Sequence, residues 1–323
     1  MKNMLITHTD MDGVASAGLY LHVTGISDYK VLYAEPYMLN EVLKKFIVHP
    51  PKKIAVFDIG VNPGVFSQVL DAVSNLRAKG VEIEWFDHHV WEAEWIKSLT
   101  ECGISLFLER ETCGVGVVAK HALSKKLNAS PDFLENLVNG VCGGDLWRFD
   151  HWLSPFYIRL VRRKDPVYWK NIVLETISRG IYWDKVFEEK VLEEFEKELE
   201  ELSELSKNMD VDTFEANGFK IGVVQVKEDV ENSFLASLVL SRGGLDVAVI
   251  VSRDGKLSLR SRNVNVRDLA VALNGGGHLR ASGAKIQIPL TVKMLTTLSR
   301  KFLVEYVAGL IKENASHLKR LGD

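Results

Sequence analysis

The first half of the chain alternates short apolar runs with amphipathic segments, and this alternation constrains the fold more than any other feature. Apolar runs of strand length occur at Met4–Ile6, Lys30–Tyr33, Lys53–Phe57 and Val81–Phe86. Helical spacing of apolar residues follows at Val14–Val23, Leu39–Ile47, Phe66–Lys79, Thr112–Leu123 and Pro131–Val141. Continuous apolar strands that alternate with helices are typical of a parallel sheet covered on both faces. We therefore predict an α/β fold for this region.

The second half of the chain begins with a long helix and then changes character. Residues 185–207 are rich in Glu and Lys, and their apolar residues recur at helical spacing, which predicts one amphipathic helix. Strands are then predicted at Phe219–Val226, Val247–Ser252 and Lys256–Arg260, and a closing helix at Thr291–Ile311. Asp254-Gly255 between the last two strands is typical of a hairpin turn. We predict a first domain at 1–184, a helical connector at 185–207 and a smaller α/β domain at 208–323.

Acidic residues and histidines follow the apolar runs of the first domain at four places. The four segments are His8–Gly13, Asp58, Asp87–His89 and Asp145, the last after the run Val141–Gly144. Because the carboxyl ends of parallel strands line one crevice, we expect these side chains to converge there. The two-residue step from His8 to Asp10 and Asp12 would keep all three on one side of an extended segment. Gly13 would then permit a sharp turn into the following helix.

Such a concentration of carboxylates predicts bound cations, because the negative charges would otherwise repel one another. Carboxylate oxygens with imidazole nitrogens suit Mn²⁺ or Mg²⁺ better than a thiolate-bound metal. Two such ions about 3.5–4 Å apart stabilise both the attacking and the leaving oxygen of a phosphoryl displacement. Taken singly, Asp10, Asp12 or Asp58 is more often a helix cap or a turn residue. The metal hypothesis therefore depends on all four segments sharing one structural context.

The order of these motifs resembles the DHH phosphoesterase superfamily. That superfamily includes the exonuclease RecJ and its archaeal relatives, small oligoribonucleases (nanoRNases), cyclic-dinucleotide phosphodiesterases and family II pyrophosphatases. The resemblance implies two Mn²⁺ ions, with Mg²⁺ as the alternative. It implies these metal ligands: His8, Asp10 and Asp58 for one ion, and Asp12, Asp58, His88 and Asp145 for the other, with Asp58 shared.

The same resemblance implies catalytic roles for two further residues, both in the tripeptide Asp87-His88-His89. Asp87 would orient a histidine ligand, and His89 would face the substrate phosphate. One departure from the family pattern concerns His8. Many small members place the first histidine four residues before the first aspartate, whereas His8 lies two residues before Asp10.

The second domain contains two segments suited to binding phosphate, Ser258–Arg262 and Asn274–Gly283. Arg260 and Arg262 would share one face of a strand, and consecutive glycines expose backbone N–H groups to an anion. Taken alone, the glycine segment is also compatible with a flexible turn. Together the two segments resemble the DHHA1 domain, which would exclude the pyrophosphatase branch. The resemblance implies these substrate-binding residues: Arg260, Arg262, Gly276, Gly277 and His278.

The expected architecture is thus a parallel-sheet DHH domain joined by a long helix to a smaller α/β DHHA1 domain. The leading functional hypothesis is a 3′-to-5′ exonuclease on single-stranded DNA or RNA, and it includes a repair or replication partner such as a helicase. One alternative is an oligoribonuclease or pAp phosphatase acting on short oligonucleotides, and another is a replication or repair scaffold.

An aromatic and basic stretch could support single-strand binding by stacking, although an aromatic core segment with a solvated basic face is an equal alternative. Its members are Trp147, Phe149, Trp152, Phe156, Tyr157, Arg148, Arg159, Arg162, Arg163 and Lys164.

The composition sets further expectations. The net charge of −3 means that positive charge must be concentrated locally if nucleic acid is bound. No apolar stretch approaches the roughly 18 residues needed to span a bilayer, so we expect a cytoplasmic protein without a membrane partner. The three cysteines form no CxxC pair, and we expect buried small side chains rather than a disulfide.

Overall fold

The computed structural model describes residues 3–122, 129–208, 211–226 and 232–321. The chain forms two compact units, Met1–Val191 and Leu192–Asp323, and the boundary falls within a long helix. We call them the first unit and the second unit. The expected α/β architecture with a parallel sheet in the first unit and a smaller second α/β unit is confirmed.

The first unit is built on a five-stranded, entirely parallel sheet in the order β2-β1-β3-β4-β5. Its strands are β1 Asn3–Thr7, β2 Tyr29–Tyr33, β3 Lys53–Phe57, β4 Glu82–Asp87 and β5 Ser105–Leu108. The first four agree with the predicted apolar runs to within one or two residues. β3 and β4 are buried almost throughout, as expected for strands covered on both faces.

Among the described residues up to Asn208, nine helices accompany this sheet, and the ninth contains the boundary between the two units. They are α1 Met11–Thr24, α2 Leu39–Lys44, α3 Phe66–Ala78, α4 Ala93–Glu101, α5 Gly114–Ala122, α6 Pro131–Asp145, α7 Ser154–Leu160, α8 Val167–Ser178 and α9 Lys185–Asn208. Single 3₁₀ turns precede α2 and α3 at Pro36–Met38 and Pro63–Val65. Helix α9 confirms the long amphipathic helix.

Local sequence explains where two helices that carry residues of the predicted acidic cluster begin, and where one of them ends. The Asp10 side chain caps α1, and Gly25 ends it in the left-handed conformation at φ 66°. Ser130 caps α6 by accepting a hydrogen bond from the Phe133 N–H, and Pro131 occupies the first helical position. These signals fix the starts of the two helices that carry acidic residues to the centre.

Helix α1 covers one face of the sheet and α2 and α3 cover the other. On the α1 face, the Tyr20 ring lies 5.0 Å from Phe57 and 5.7 Å from Phe86. Its hydroxyl donates to Glu84 Oε2 at 2.7 Å, and Lys53 Nζ lies 2.9 Å from the same oxygen. The opposite face is an apolar cluster that includes Ile54, Val56, Ile83, Trp85, Leu43, Val69 and Leu76.

The run Val141–Gly144, predicted as a strand, is helical in the structure. It forms the last turn of α6, so Asp145 lies at a helix end and not at a strand end. The glycines let α7 approach α6 closely. A Cβ at Gly140 would lie 2.6 Å from Tyr157 Cε2, and a Cβ at Gly144 would lie 2.6 Å from Ile158 Cγ2. An apolar run of four residues cannot distinguish strand from helix, and here the helix begun at Pro131 continues through it.

The expectation that no disulfide forms is wrong for two of the three cysteines. Cys113 and Cys142 are joined by a disulfide that links the residue before α5 to the last turn of α6. Both are buried, as expected, and Cys102 is a free thiol. The pairing depends on the packing of α5 against α6, which residues 29 positions apart do not reveal by spacing.

The second unit contains a mixed six-stranded sheet in the order β11-β12-β9-β8-β7-β6. Its strands are β6 Val211–Ala216, β7 Phe219–Gln225, β8 Val247–Val251, β9 Lys256–Ser261, β11 Gly276–Gly277 and β12 Ala281–Lys285. β10 Val264–Asn265 and β13 Lys319–Arg320 form a separate pair. β8 and β9 form the antiparallel pair predicted around Asp254-Gly255.

The helices of the second unit pack on this sheet. They are α10 Asn232–Gly243, α11 Arg267–Ala272, α12 Leu290–Leu298 and α13 Lys301–Asn314, with a 3₁₀ turn at Ala315–His317. The predicted single closing helix is therefore two helices, because Ser299 adopts an extended conformation between them. Across the described ranges, every helix is too short or too polar to traverse a lipid bilayer.

Candidate metal centre

The acidic centre lies where the sheet of the first unit reverses its direction of winding. From β1 the chain moves outward to β2, and from β3 it moves the other way to β4 and β5. His8 directly follows β1 and Asp58 directly follows β3. The His8 N–H donates to Phe57 O at 3.2 Å, and the Asp58 N–H donates to Phe86 O at 2.9 Å. This switch point is where open α/β sheets bind ligands.

Asp58 occupies the middle of the centre. Its Oδ2 lies 3.3 Å from His8 Nδ1, and its Oδ1 lies 3.2 Å from His88 Nε2. The residue is only 2% exposed and has a φ of 53°, in the left-handed region that few side chains other than Asn and Asp adopt. The surrounding packing holds this backbone conformation, and it turns the carboxylate between the two imidazoles.

His8 and Asp10 form one side of the centre. His8 Nδ1 lies 2.8 Å from Asp10 Oδ2, and His8 Nε2 lies 3.4 Å from Glu35 Oε2. Burial disfavours the charged forms, but the mutual attraction of His8 and Asp10 raises the pKa of His8 and lowers that of Asp10. The hydrogen bond from His8, reinforced by one from Thr9, lowers the pKa of Glu35 to about 2 against the effect of burial. Neither Glu35 nor Thr9 was predicted from the sequence.

The geometry of the first motif differs from the predicted extended segment. Helix α1 begins at Met11, so Asp10 is its cap and Asp12 lies in its first turn. The Asp10 carboxylate accepts a hydrogen bond from the Gly13 N–H at 3.3 Å while also facing His8. Gly13 does not form a sharp turn. Its role is close approach, because a Cβ there would lie 2.8 Å from His8 Cβ.

Asp12 is held by the start of α5. Its Oδ2 accepts from the Gly114 N–H at 2.6 Å and its Oδ1 from the Val115 N–H at 2.8 Å. Unpaired N–H groups at a helix start favour a carboxylate there. Burial and then the charges of Asp58 and Asp145 nevertheless raise the pKa of Asp12 well above its ordinary value. The sequence pattern did not identify this contact, which joins residues about one hundred positions apart.

His88 lies among three carboxylates on the other side of Asp58. Its Nε2 is 3.2 Å from Asp58 Oδ1, 3.6 Å from Asp12 Oδ2 and 3.6 Å from Asp145 Oδ2. Burial opposes its protonation, but these carboxylates raise the pKa of His88 well above its ordinary value. Asp145 therefore reaches the centre from the end of α6, although the sequence placed it after a strand.

Asp87 holds the ring of His89 in place. Its Oδ1 accepts from His89 Nδ1 at 2.8 Å, and its Oδ2 accepts from Trp91 Nε1 at 2.6 Å. Against the effect of burial, this pairing lowers the pKa of Asp87 and raises that of His89. The described hydrogen bond thus joins Asp87 to His89, and the expected orientation of a metal-ligand histidine by Asp87 stays a prediction. A Cβ at Gly60 would lie 3.0 Å from the His89 ring, so glycine is required beneath that ring.

The residues present fit divalent cations. Within the described residues, His8, Asp10 and Asp58 bring ligand atoms within 4.8 Å of one another, and so do Asp12, Asp58 and His88. His8 Nδ1 is buried and lies close to two carboxylates, but neither contact has the geometry of a hydrogen bond. The field that favours a proton on each histidine equally favours a divalent cation in its place, and the oxygen and imidazole donors suit Mn²⁺.

The predicted substrate-binding residues of the second unit adopt two different arrangements. Arg260 lies in β9 and donates through Nη1 to Leu259 O at 3.0 Å and Ser282 O at 3.3 Å. Arg262 lies beyond the strand and donates to Ser241 Oγ at 3.0 Å. The shared strand face predicted for the two arginines is therefore wrong. Ser261 Oγ accepts from the Val264 N–H at 2.8 Å, which turns the chain after β9.

The glycine segment, which by itself was also compatible with a flexible turn, forms a hairpin. Gly276 and Gly277 pair with Gly283 and Ser282 as β11 and β12. His278 begins the turn, and its N–H donates to Ala281 O at 2.8 Å. Gly277 has a φ of 132°, which requires glycine, and a Cβ there would lie 2.8 Å from Ser282 Cα. The triple glycine thus permits two strands to lie close together.

The aromatic and basic stretch is divided between core and surface. Trp147 and Tyr157 are buried, whereas Trp152 is 58% exposed. Arg159 and Arg162 are 2% and 9% exposed, so these two cations are not on a solvated face. For Trp147 and Tyr157 the burial supports the core alternative, and neither ring is available for stacking on bases. Arg163 is exposed and lies beside the metal centre.

Comparison with known proteins places this geometry in context. A sequence model of the DHHA1 domain matches residues 220–305. A search of curated protein sequences gave no match. Among solved structures, a pGpG-specific phosphodiesterase (PggH) from Vibrio cholerae is 13% identical, with a TM-score of 0.55 over 93% of this chain and 99% of that one.

Two further solved structures align at a similar level. A manganese-bound RecJ exonuclease is 14% identical, with a TM-score of 0.55 over 95% of this chain and 90% of that one. An exopolyphosphatase-related protein from Bacteroides fragilis is 17% identical, with a TM-score of 0.54 over 96% and 93%. The similarity between this chain and these three structures is a similarity of fold.

Proposed function

We propose that this chain, which has the DHH/DHHA1 architecture, is a metal-dependent phosphoesterase that hydrolyses phosphodiester bonds in nucleic acid. The observation that carries the proposal is the position of Asp58. A buried carboxylate in a left-handed conformation lies between two imidazoles at the switch point of the sheet. A ligand shared by two ions requires this kind of central position. The domain limits 1–184, 185–207 and 208–323 are part of the proposal.

The proposed ligand sets follow the two sides of the centre. His8, Asp10 and Asp58 would hold one ion, and Asp12, Asp58, His88 and Asp145 the other. Mn²⁺ is the proposed ion because the donors are oxygen and imidazole, and because the RecJ structure compared above is manganese-bound. Such ions, when bound, activate water and stabilise charge on a transferring phosphoryl group.

The protein side chains would position the substrate and hold protons. Asp87 and Trp91 fix the His89 ring, which is 31% exposed and whose Nδ1 lies 4.0 Å from Asp58 Oδ1. Asp87 raises the pKa of His89, so its cationic form is favoured beside an incoming phosphate. In the second unit, Arg260, Arg262, Gly276, Gly277 and His278 are the proposed substrate-binding residues.

Two substrates are proposed in order of preference. The first is the 3′ end of single-stranded DNA or RNA, which would make the protein a 3′-to-5′ exonuclease. The second is a short oligonucleotide, and the likeness to a pGpG-specific phosphodiesterase over nearly its whole length supports it. A repair or replication partner such as a helicase stays a prediction.

Replacement of Asp58 tests the proposed function. Asp58→Asn preserves the shape of the side chain and tolerates the left-handed backbone, but it removes the shared negative charge. We expect Mn²⁺ binding, measured by calorimetry, to weaken at least about 100-fold, since ligand charge dominates such sites. Hydrolysis of an end-labelled strand and of a dinucleotide should fall below detection. Unchanged hydrolysis would reject the proposal and favour a scaffold role.

The matched control is Asp71→Asn, the same substitution at an exposed position of α3. It should leave Mn²⁺ binding and hydrolysis unchanged. Comparison of a long labelled strand with a dinucleotide separates the two proposed substrates, because an exonuclease shortens the strand progressively whereas an oligoribonuclease prefers the dinucleotide.

A further inference from the structure

The guanidinium of Arg163 lies at the edge of the acidic centre, near two of its carboxylates but beyond hydrogen-bonding distance of them. Arg163 Nη2 is 3.8 Å from Asp10 Oδ2, and Arg163 Nη1 is 3.8 Å from Glu35 Oε2. Both distances exceed hydrogen-bond length, so these carboxylates do not engage its N–H donors. The Arg163 side chain is 65% exposed, whereas those of Asp10 and Glu35 are 27% and 21% exposed. A guanidinium therefore lies at the solvent edge of a buried acidic cluster.

The backbone that carries Arg163 is fixed by a buried lysine. Lys170, which is 3% exposed, donates through Nζ to Arg163 O at 2.9 Å and to Asp165 O at 2.7 Å. The Asp165 carboxylate accepts from the Arg162 N–H at 2.7 Å and closes the turn. A buried lysine is costly to maintain unless it is well bonded, and here both contacts serve this one turn. The turn therefore presents the Arg163 side chain from a preorganised base.

Arg163 and His89 lie at different edges of the acidic centre. Arg163 faces the His8–Asp10 side, with Glu35 beside it, whereas His89 contacts Asp87 and lies 4.0 Å from Asp58 Oδ1. A phosphodiester held at the central carboxylate would already have His89 next to it. An anion at Arg163 would be a second phosphate of the same substrate. Guanidinium forks bind phosphate oxygens in pairs, which gives geometry as well as charge.

We propose that Arg163 binds a second phosphate of the substrate, adjacent to the one that is cleaved. The proposal rests on the phosphoesterase function proposed above and narrows it. The favoured substrate class is an oligonucleotide that has a further phosphate next to the linkage that is cleaved. A 5′-phosphorylated dinucleotide is an example, and it should be preferred to a diester with a single phosphate.

The test compares two substrates in wild-type protein and in Arg163→Ala. The substrates are the dinucleotide ApA and its 5′-phosphorylated form pApA, each with Mn²⁺. Loss of a charge-assisted contact should raise KM for pApA about 10- to 100-fold. KM for ApA should change less than about twofold, since that substrate has no second phosphate for the guanidinium to bind. Arg163→Lys should fall between, because it keeps the charge and loses the fork.

Two binding measurements separate substrate binding from metal positioning. Mn²⁺ affinity by calorimetry should be unchanged in Arg163→Ala. Binding of pApA to the Ca²⁺-loaded protein should weaken by the same factor as KM. Arg179→Ala is the matched control, because it removes the same kind of exposed cationic side chain at the end of α8. It should leave all these values within about twofold of wild type.

The outcomes that would overturn the proposal are distinct from those that would reject the proposed function. An equal loss on ApA and pApA, or a fall in Mn²⁺ affinity, would show that Arg163 only stabilises Asp10 and Glu35. Equal KM values for the two dinucleotides in wild-type protein would also reject a second phosphate site. Wild-type protein that binds Mn²⁺ but neither hydrolyses nor binds either dinucleotide would reject the phosphoesterase function itself.

Discussion

At the scale of single residues, the metal centre depends on close backbone approach as much as on its acidic side chains. Gly13 and Gly114 both lie where a Cβ would come within 3 Å of groups of the centre. At Gly114 that Cβ would lie 2.9 Å from Asp58 Cβ and 3.0 Å from Asp12 Oδ2. Neither glycine has a positive φ, so what demands glycine at these positions is space.

Gly114→Ala should therefore impair metal binding without unfolding the protein. The new methyl group must displace Asp12 or Asp58, and the hydrogen bond from the Gly114 N–H to Asp12 Oδ2 would lengthen. We expect Mn²⁺ affinity to fall about 10- to 100-fold, the range seen when residues that support metal ligands are changed. Calorimetric titration with Mn²⁺ measures the effect.

Gly309→Ala serves as the control for this substitution. Gly309 lies in α13, and a Cβ there meets nothing within 4 Å. Alanine should stabilise this helix by about 0.5–1 kcal/mol through its higher helix propensity and leave Mn²⁺ binding unchanged. If Gly114→Ala also leaves Mn²⁺ affinity unchanged, the tight packing around Asp12 is not needed for binding.

At the scale of elements, the centre is completed by two helices. The sequence had predicted that every part of the centre follows a strand. The start of α5 holds Asp12, and the end of α6 supplies Asp145. The disulfide joins these helices next to both contacts, since Cys113 precedes Gly114 and Cys142 lies in the last turn of α6. A covalent link between α5 and α6 thus maintains the spacing of Asp12 and Asp145.

Cys142→Ser should destabilise the first unit by about 3–4 kcal/mol, because a closed loop of this length restricts the unfolded chain by about that amount. Denaturant unfolding followed by tryptophan fluorescence measures the change. Mn²⁺ affinity should also fall as α5 and α6 loosen. Cys102→Ser, which removes the free thiol, should have little effect on either value. If dithiothreitol leaves the unfolding curve of wild-type protein unaltered, the bond does not contribute to stability in solution.

At the scale of the whole molecule, the proposed metal centre belongs to the first unit alone. Its acidic ligands and histidines all lie between residues 8 and 145, within Met1–Val191. All seven tryptophans also lie in this unit, since the last of them is Trp183. Tryptophan fluorescence therefore reports on the unit that would bind Mn²⁺, and the matched DHHA1 segment lacks this signal.

Mn²⁺ should raise the unfolding midpoint seen by tryptophan fluorescence. An ion that binds only the folded state adds about 2.7 kcal/mol per site at 100 times its dissociation constant. Addition of a chelator should reverse the shift, and Asp58→Asn should abolish it. Burial, followed by the charges of Asp58 and Asp145, raises the pKa of Asp12, and a bound cation would offset those charges, so the midpoint should move upward. A midpoint that does not respond to Mn²⁺ in wild-type protein would contradict a metal centre in this unit.

The sequence by itself determined the parallel sheet, the long helix, the second α/β unit and the membership of the acidic cluster. Strand periodicity is local, and the residues that follow β1, β3 and β4 must meet at one edge of a parallel sheet. The predicted convergence is therefore found where a motif directly follows its strand, as at His8, Asp58 and His88.

Only the tertiary structure decided the contacts between segments distant in sequence. These include the α5 N–H groups on Asp12, the disulfide, the helical origin of Asp145 and the approach of Arg163 to Asp10. Each depends on how helices pack, and packing is set by the shapes of surfaces that no short sequence window contains. The same reason explains why the glycine hairpin and the turn after β9 were not foreseen. Their conformations are fixed by pairing with a neighbouring strand and by Ser261.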